Sequence, residues 1–378
     1  MSVRRIIVGA VALAALAPGS AAATASAAEK PAVTVMTRNI YLGADIFRPV
    51  NETKGKSGLD ALNAFANANA KTRKIVDQTS FPTRARLLAR EMATRKPDLV
   101  GLQEVALWRS GPYSLSNLGT PTVTTVDYDF LATLKAALKS AGVPYDLVRK
   151  QQEADVEGPA YEGNDPNADP NRKNVRLTMF DVILKRKGSK VRITDKGSQN
   201  YKAKYSVSLS GIEFSFVRGF LWADAKVGGK RFRFVNTHLE SARSDVALAQ
   251  AKELLKAKLK SKRTTIMTCD CNSDPLDASR KDKDVPHYSA YRELTKTMTD
   301  QWLKFAPAKK GFTSGLNETV NDKDLSSIDH RIDLVLGRTA KGKALKTEKG
   351  WITGKDFRTT NGLWASDHMG VVARLRLP

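Results

Sequence analysis

Six short apolar runs in this chain end on the same few kinds of polar residue. VTVMTR leads to Asn39, DLVGLQ to Glu104, FRFV to Asn236 and His238, and TIMTC to Asp270 and Asn272. RIDLVL carries Asp333, and Asp367-His368 stand directly before GVVARL. Runs of this length, rich in Val, Ile, Leu, Met and Phe, read as buried β-strands. One strand ending on Asn or Asp is ordinarily a cap or a turn. Six endings drawn from Asn, Asp, Glu and His constrain the fold much more. The strands must lie together with their polar ends converging on one place.

The rest of the pattern sets helices between these strands. Residues 60–76 have helical periodicity. Pro82 opens a second helix over 83–95, which Pro97 ends, and Asp127 is expected to cap a third that runs to Ser140, with Gly142 beyond it. Residues 244–262 read as an amphipathic helix and 288–296 as a shorter one. Strands are expected at 177–184, 202–209, 214–217, 220–227 and 231–238, with Gly228-Gly229 as a hairpin turn. The acidic stretch 153–173, rich in Pro, Asn and Gly, reads as one long surface loop. Hairpins and helical crossovers mix in one continuous run, so residues 28–378 are expected to form a single α+β domain.

At 378 residues and 41% apolar content, the chain has ample material for a packed core. Its first residues serve another purpose. Arg4 and Arg5 precede an apolar run from Ile6 to Ala17, and an Ala-rich stretch then ends in Ala25-Ser26-Ala27. This is the form of a cleaved secretory signal over residues 1–27, because the apolar run is too short to span a bilayer. A secreted, extracellular monomer is expected. The formal charge is +23, and loss of the signal removes Arg4 and Arg5 but no acid, leaving +21. Such an excess attracts polyanions, although it also serves solubility and so does not name the partner alone. Cys269 and Cys271 are read as buried thiols, since side chains two apart on a strand lack disulfide geometry.

Carboxylate and amide oxygens at the strand ends suit Mg²⁺, Mn²⁺ or Ca²⁺. The imidazoles suit proton transfer near neutral pH. Zinc is disfavoured by the lack of an HExxH motif and of the usual Cys/His spacing. The segments TRN, LVGLQEV, FVNTHLES, CDCNSDP, HRIDLVL and SDHMGVV follow one another between about Val33 and Leu377. Together they resemble the endonuclease/exonuclease/phosphatase superfamily, which includes DNase I-like nucleases, neutral sphingomyelinases and inositol polyphosphate phosphatases. The resemblance implies a four-layer α/β/β/α sandwich of two packed, mainly antiparallel sheets. It also implies a divalent-metal phosphoesterase site at one end of them.

Carried over by motif, Glu104 is the principal metal ligand, with Asn39 beside it and Asp367 as a further metal-side carboxylate. His238 serves the leaving group, and Asp270 and Asn272 handle the attacking water and the phosphate. His368 activates water or stabilises the phosphorane, and Asp333 orients it. A metal and two imidazoles supply the three things a phosphodiester needs: neutralised oxygens, an activated water and help for the leaving group. Asn236 and Arg176 are taken as substrate-binding. Two points depart from the family pattern. Cys269 stands where a glycine is usual, and the partner of the NTH histidine has no obvious position. Arg176, Asp181 and Glu153 are its candidates, and Asp181 is unusual inside an apolar strand.

The expected activity is hydrolysis of phosphodiester bonds, most simply as a nuclease. The basic clusters LKRKGSK (184–190) and KAKLKSKR (256–263) favour nucleic acid. A lipid headgroup, as in a sphingomyelinase, is the alternative and calls for an exposed apolar surface. Trp302, Phe305, Phe312, Trp351 and Trp364 are available for one, but no apolar loop tip is evident. An inositol or sugar phosphate is the third option.

Overall fold

The structure is a computed structural model that describes Met1 and residues 31–378, apart from 117, 210, 211, 260 and 283. Residues 2–27 of the expected signal lie outside the described residues. In chain order the longer strands begin with β1 (Ala32–Asn39), β2 (Leu99–Pro112), β3 (Thr125–Asp129), β4 (Tyr145–Ala160), β5 (Lys173–Arg186) and β6 (Arg192–Asn200). They continue with β7 (Tyr205–Leu209), β8 (Ile212–Phe216), β9 (Gly219–Val227), β10 (Lys230–His238) and β11 (Thr265–Asp270). After the short β12 (Lys281–Asp282), β13 (Val285–Pro286) and β14 (Thr299–Asp300) come β15 (Asp333–Arg338), β16 (Lys346–Thr353) and β17 (Gly370–Arg376). The helices are α1 (Arg48–Glu52), α2 (Gly58–Gln78), α3 (Phe81–Arg95), α4 (Phe130–Ser140), α5 (Ser244–Leu254), α6 (Ser289–Thr295) and α7 (Gln301–Phe305).

Two large sheets result. One has the order β16-β17-β1-β2-β5-β4, with β3 added to β2, and the other the order β14-β15-β11-β10-β9-β6. Within them β1 runs parallel to β2 and β10 to β11, while the other pairs are antiparallel. The alternation of apolar residues sorts the side chains into layers. Val33, Val35, Phe232, Phe234, Ile266 and Val335 meet between the sheets. Met36, Val100 and Leu102 face outward under α2, α3 and α4. Val235, Met267 and Leu334 face outward under α5 and α6. The arrangement is the expected four-layer sandwich. Each fully buried Phe or Ile in the central layer contributes roughly 1.5–3 kcal/mol by leaving water.

Polarity in the central layer changes along the strands, and this positions the site. Beyond the apolar stratum lies a stratum of buried polar groups. Gln103 Nε2 donates to Asn236 Oδ1 at 2.7 Å, and Thr268 Oγ1 donates to the same oxygen at 3.0 Å. Asn236 Nδ2 donates to the carbonyl of Leu102 at 3.0 Å, which ties the second sheet to the first. Gly101 makes room for this contact, because a Cβ there would stand 2.1 Å from Asn236 Oδ1. One residue pair further along, the strands end on Asn39, His238, Asp270 and Asp333.

Several local expectations are corrected. Residues 153–160 are not loop. They extend β4, which pairs with β5 as far as Ala160↔Lys173, so the loop is confined to 161–172. The third helix is capped by Asp129, whose side chain accepts from the backbone N–H of Ala132, while Asp127 lies in β3 and binds Arg73. The helix from Ser244 leaves regular α geometry after Leu254 for a π turn over 255–259. Cys269 and Cys271 form a disulfide. The chain turns out of β11 after Asp270, so their Cα atoms stand 5.1 Å apart, closer than a straight strand would place them.

Candidate active site

Two loops, five strand ends and one break inside a strand build the site at the mouth between the sheets, because β2 does not end at Glu104 as expected but runs on to Pro112. β1 delivers Asn39, whose Nδ2 donates to Glu104 Oε1 and to Asp270 Oδ2, both at 2.9 Å. Glu104 interrupts β2 with a positive φ of 58°, which turns its carboxylate into the mouth. There Oε2 accepts the backbone N–H of Leu42 at 3.0 Å. Asp367 lines the same cleft beside Glu104, with Tyr41, Met179 and Arg218.

Two buried arginines hold the loops in place. Arg38 Nη1 donates to the carbonyls of Asn39 and His368, while its remaining nitrogens bind Glu91. Arg84 donates to the carbonyls of Ile40, Tyr41 and Ala365. The segment after β1 is therefore stitched to the segment before β17. Ser366 Oγ adds a bond to the Asn39 carbonyl at 2.8 Å.

The two histidines occupy different electrostatic settings. Nδ1 of His368 lies 2.8 Å from Asp333 Oδ2 and 3.8 Å from Asp270 Oδ2. Burial opposes its charge, but Asp333, Asp367 and Asp270 overcome that and hold the imidazole well above its ordinary pKa. His238 is buried beside Arg218 and His368, and burial first, then those cations, push it well below the ordinary value. Arg218 Nη1 is 2.9 Å from His238 Nδ1. A guanidinium only donates, and so does the side-chain N–H of Asn272 that faces Nε2, so both ring nitrogens look onto donors. That Nε2 lies 3.5 Å from Asp270 Oδ2 and 3.0 Å from the side-chain amide of Asn272.

Burial raises Asp270 to about 7, with Asp333 and Glu104 adding to it, and raises Asp367 to about 6 with a contribution from Glu104. Acids crowded in this way gain most from a cation. Ligand atoms of Glu104, His238 and Asp270 lie within 4.8 Å of one another, as do those of Asp270, Asp333 and His368. Glu104 and Asp367 line one cleft and offer a hard oxygen set, with Asn39 2.9 Å from Glu104 Oε1 beside them. The donor set therefore fits a divalent ion.

Nearly every sequence-predicted residue thus stands in one cluster: Asn39, Glu104, His238, Asp270, Asn272, Asp333, Asp367 and His368. Two do not. Arg176 is turned into a double ion pair with Asp155, at 2.7 and 2.8 Å, away from the cluster. Asn236 is fully buried in the inter-sheet polar stratum and faces no cleft. Sequence reasoning missed Arg218, the partner of the NTH histidine. It sits between β8 and β9, encircled by Glu240, Glu153, Glu104 and Asp181. Burial pushes Glu153 up to about 8 and Asp181 well above the ordinary carboxylate value, so these two acids beside Arg218 are held toward their neutral forms. The signal available was one arginine between two apolar strands, with no periodicity to mark it.

Comparison with solved structures places the architecture. A protein from Leptotrichia buccalis C-1013-b aligns over 91% of this chain and 99% of its own, with 14% identity and a TM-score of 0.51. One from Bacteroides vulgatus aligns over 92% and 100%, with 17% identity and a TM-score of 0.51. TDP2 of D. rerio, complexed with single strand DNA product, aligns over 91% and 98%, with 17% identity and a TM-score of 0.52. The fold is that of the endonuclease/exonuclease/phosphatase proteins. No protein-family model matches the chain, and no curated protein matches it. Within the endonuclease/exonuclease/phosphatase fold, then, the chain is far from its structural neighbours in sequence.

Proposed function

We propose that the protein is a divalent-cation-dependent phosphodiesterase that cleaves nucleic acid. The observation that carries this reading is the placement of Asp270 between two unlike imidazoles. Its Oδ2 is 3.5 Å from His238 Nε2 and 3.8 Å from His368 Nδ1. One ring is kept neutral and the other charged, each by its own surroundings.

The chemistry follows from those states. Asp270, which faces both imidazoles, accepts the proton of the attacking water. His368, held cationic and fixed by Asp333, stabilises the charge that grows on the phosphorane oxygens. His238 lies beside Asp270 at the position of the departing oxygen, which takes its proton from water. Asn272, locked by its bond to the Leu239 carbonyl at 3.0 Å, positions the phosphate. A divalent ion, held by Glu104 and Asp367 with Asn39, would neutralise the non-bridging oxygens.

Nucleic acid is favoured by the net charge of +23 and by the single strand DNA product that D. rerio TDP2 carries on the same fold. A second reading has its own observation. An apolar cleft lined by Ile46, Phe65, Phe214 and Phe216 adjoins the catalytic cleft at Ile46 and sets an apolar surface beside it, as a lipid substrate would want. Export is part of the proposal: residues 1–27 have signal form, and the Cys269–Cys271 disulfide suits an oxidising compartment.

One panel tests the reading. Wild type and His368→Ala are assayed with Mg²⁺, Mn²⁺ or Ca²⁺ on DNA, RNA, sphingomyelin, inositol phosphates and a bis-aryl phosphate. Cleavage of DNA or RNA that EDTA abolishes is expected. Turnover of sphingomyelin alone would transfer the assignment to lipid, and turnover of nothing would end it.

A further inference from the structure

Trp302, Phe305, Phe312 and Trp351 come from α7, the loop before Ser314 and β16, yet they line one open cleft together with Lys309 and Lys355. The catalytic arrangement uses none of them. Phe305 is 41% exposed, and the other three rings are half-buried. The rings are held rather than loose. Trp302 Nε1 donates to the Lys309 carbonyl at 2.9 Å, and Gly311, with φ of +71°, lets the indole lie directly on the backbone. Rigid aromatic faces half open to solvent are costly to maintain unless something covers them.

Charge says what does. The described lining holds two lysines and no carboxylate. Lys310 adds an ammonium 5.2 Å above the Phe312 ring. Neither Lys309 nor Lys355 is engaged in an ion pair among the described residues. Aromatic faces interleaved with free cations match a stacked base with its flanking phosphates. A purely aliphatic chain has no use for the cations.

Position ties the cleft to the catalytic centre. Phe312 directly precedes Thr313, whose Oγ1 accepts the backbone N–H of Asp333 at 3.2 Å. Ser314 Oγ follows at 3.5 Å from His368 Nε2. On the other wall, Trp351 pairs with Val372, in the strand that begins just after His368. The 312–314 segment on one wall and β17 beyond the other thus join the cleft to the segments that hold Asp333 and His368.

We propose that the cleft is a nucleobase subsite, taking one unpaired base of a single-stranded nucleic acid next to the scissile phosphate. It rests on the nucleic-acid reading of the catalytic site. Stacking reads the π-face that all bases share, so the subsite selects unpaired strands rather than a sequence.

The test is a binding titration that needs neither turnover nor metal. His368→Ala protein in EDTA is titrated with oligothymidylate while intrinsic tryptophan fluorescence is followed. Quenching is expected. Adding Phe312→Ala, or Lys309→Glu with Lys355→Glu, should weaken binding about tenfold, the size of one lost stack, while Phe312→Tyr should retain it. The lysine pair should also flatten the salt dependence. In otherwise wild-type protein, the same changes should lower the ratio of oligonucleotide to bis-aryl phosphate turnover by a similar factor. Equal affinity for all variants overturns the subsite. A wild type that hydrolyses the bis-aryl phosphate but shows no quenching overturns the subsite and leaves the phosphodiesterase reading intact. Quenching that Phe312→Ala removes, in a protein that cleaves no phosphodiester, sustains the subsite and overturns the catalytic reading.

Discussion

Asp333 Oδ2 stands 2.8 Å from Nδ1 of His368, and both side chains are buried where β15 and β17 approach each other. The acid accepts the Nδ1 hydrogen and so fixes the orientation of the ring. It also keeps the ring charged against the penalty of burial. Asp333→Asn preserves shape but removes both effects. We expect kcat on a bis-aryl phosphate to fall by about 10²–10⁴ with KM little changed, as for other acid-supported histidines. An unchanged kcat would show that the pair is only structural.

Cation affinity should depend on pH in a defined direction. Asp367, one of the carboxylates that would hold the cation, is raised to about 6 in its absence. A raised carboxylate is still partly protonated at pH 6, and that proton must leave before the oxygen can bind metal. Mg²⁺ affinity should therefore fall as pH drops through this window, and binding should release more protons at pH 6 than at pH 8. Calorimetry in two buffers of different ionisation enthalpy reads the difference. Equal release at both values would contradict the carboxylate assignment.

Away from the site, Asp224 supplies a stability test of opposite sign. Burial works against its charge, but Arg233, at 2.7 and 2.9 Å, and Arg263 hold it below the ordinary carboxylate range. A depressed acid stabilises the fold above its unfolded pKa, and that contribution disappears as pH falls through its folded value. Asp224→Asn should cost about 2 kcal/mol at pH 7 and almost nothing near pH 2.5. Denaturant titrations at the two pH values measure it.

Gly101→Ala should be among the most damaging single changes in the chain. Its Cβ would meet Asn236 Oδ1 at 2.1 Å and Thr268 Oγ1 at 2.3 Å, both already committed to bonds. Breaking that stratum leaves buried amides unpaired, and a loss of about 3 kcal/mol or more is expected. A melting temperature within a degree of wild type would show that the sheets part more readily than their packing implies.

The site is legible in the sequence because its carriers are local. A buried strand announces itself by its apolar run, and the residue at its end follows automatically. Hence Glu104, His238, Asp270 and Asp367 stand out from the pattern of the chain alone. Arg218 does not, since only tertiary packing brings it to His238. Strands β6 (RITDKGSQN) and β16 (KTEKGWIT) are invisible for a related reason. They are polar edge strands whose conformation comes from pairing with β9 and β17, not from their own pattern. The disulfide escapes because its geometry depends on the turn after Asp270, where Asn272 takes a φ of 41°.

The amide stratum at Asn236 has one more effect. Glu104, Asn39 and His368 arrive from one sheet, and His238, Asp270 and Asp333 from the other. In the proposed phosphodiesterase, the gap open to a phosphate is therefore set by how closely the sheets approach, and the Asn236–Leu102 bond gauges that approach from within the sandwich. Residues that no substrate touches can in this way calibrate the width of the catalytic mouth, so turnover should respond to changes in the sandwich interior as sensitively as to changes at its rim.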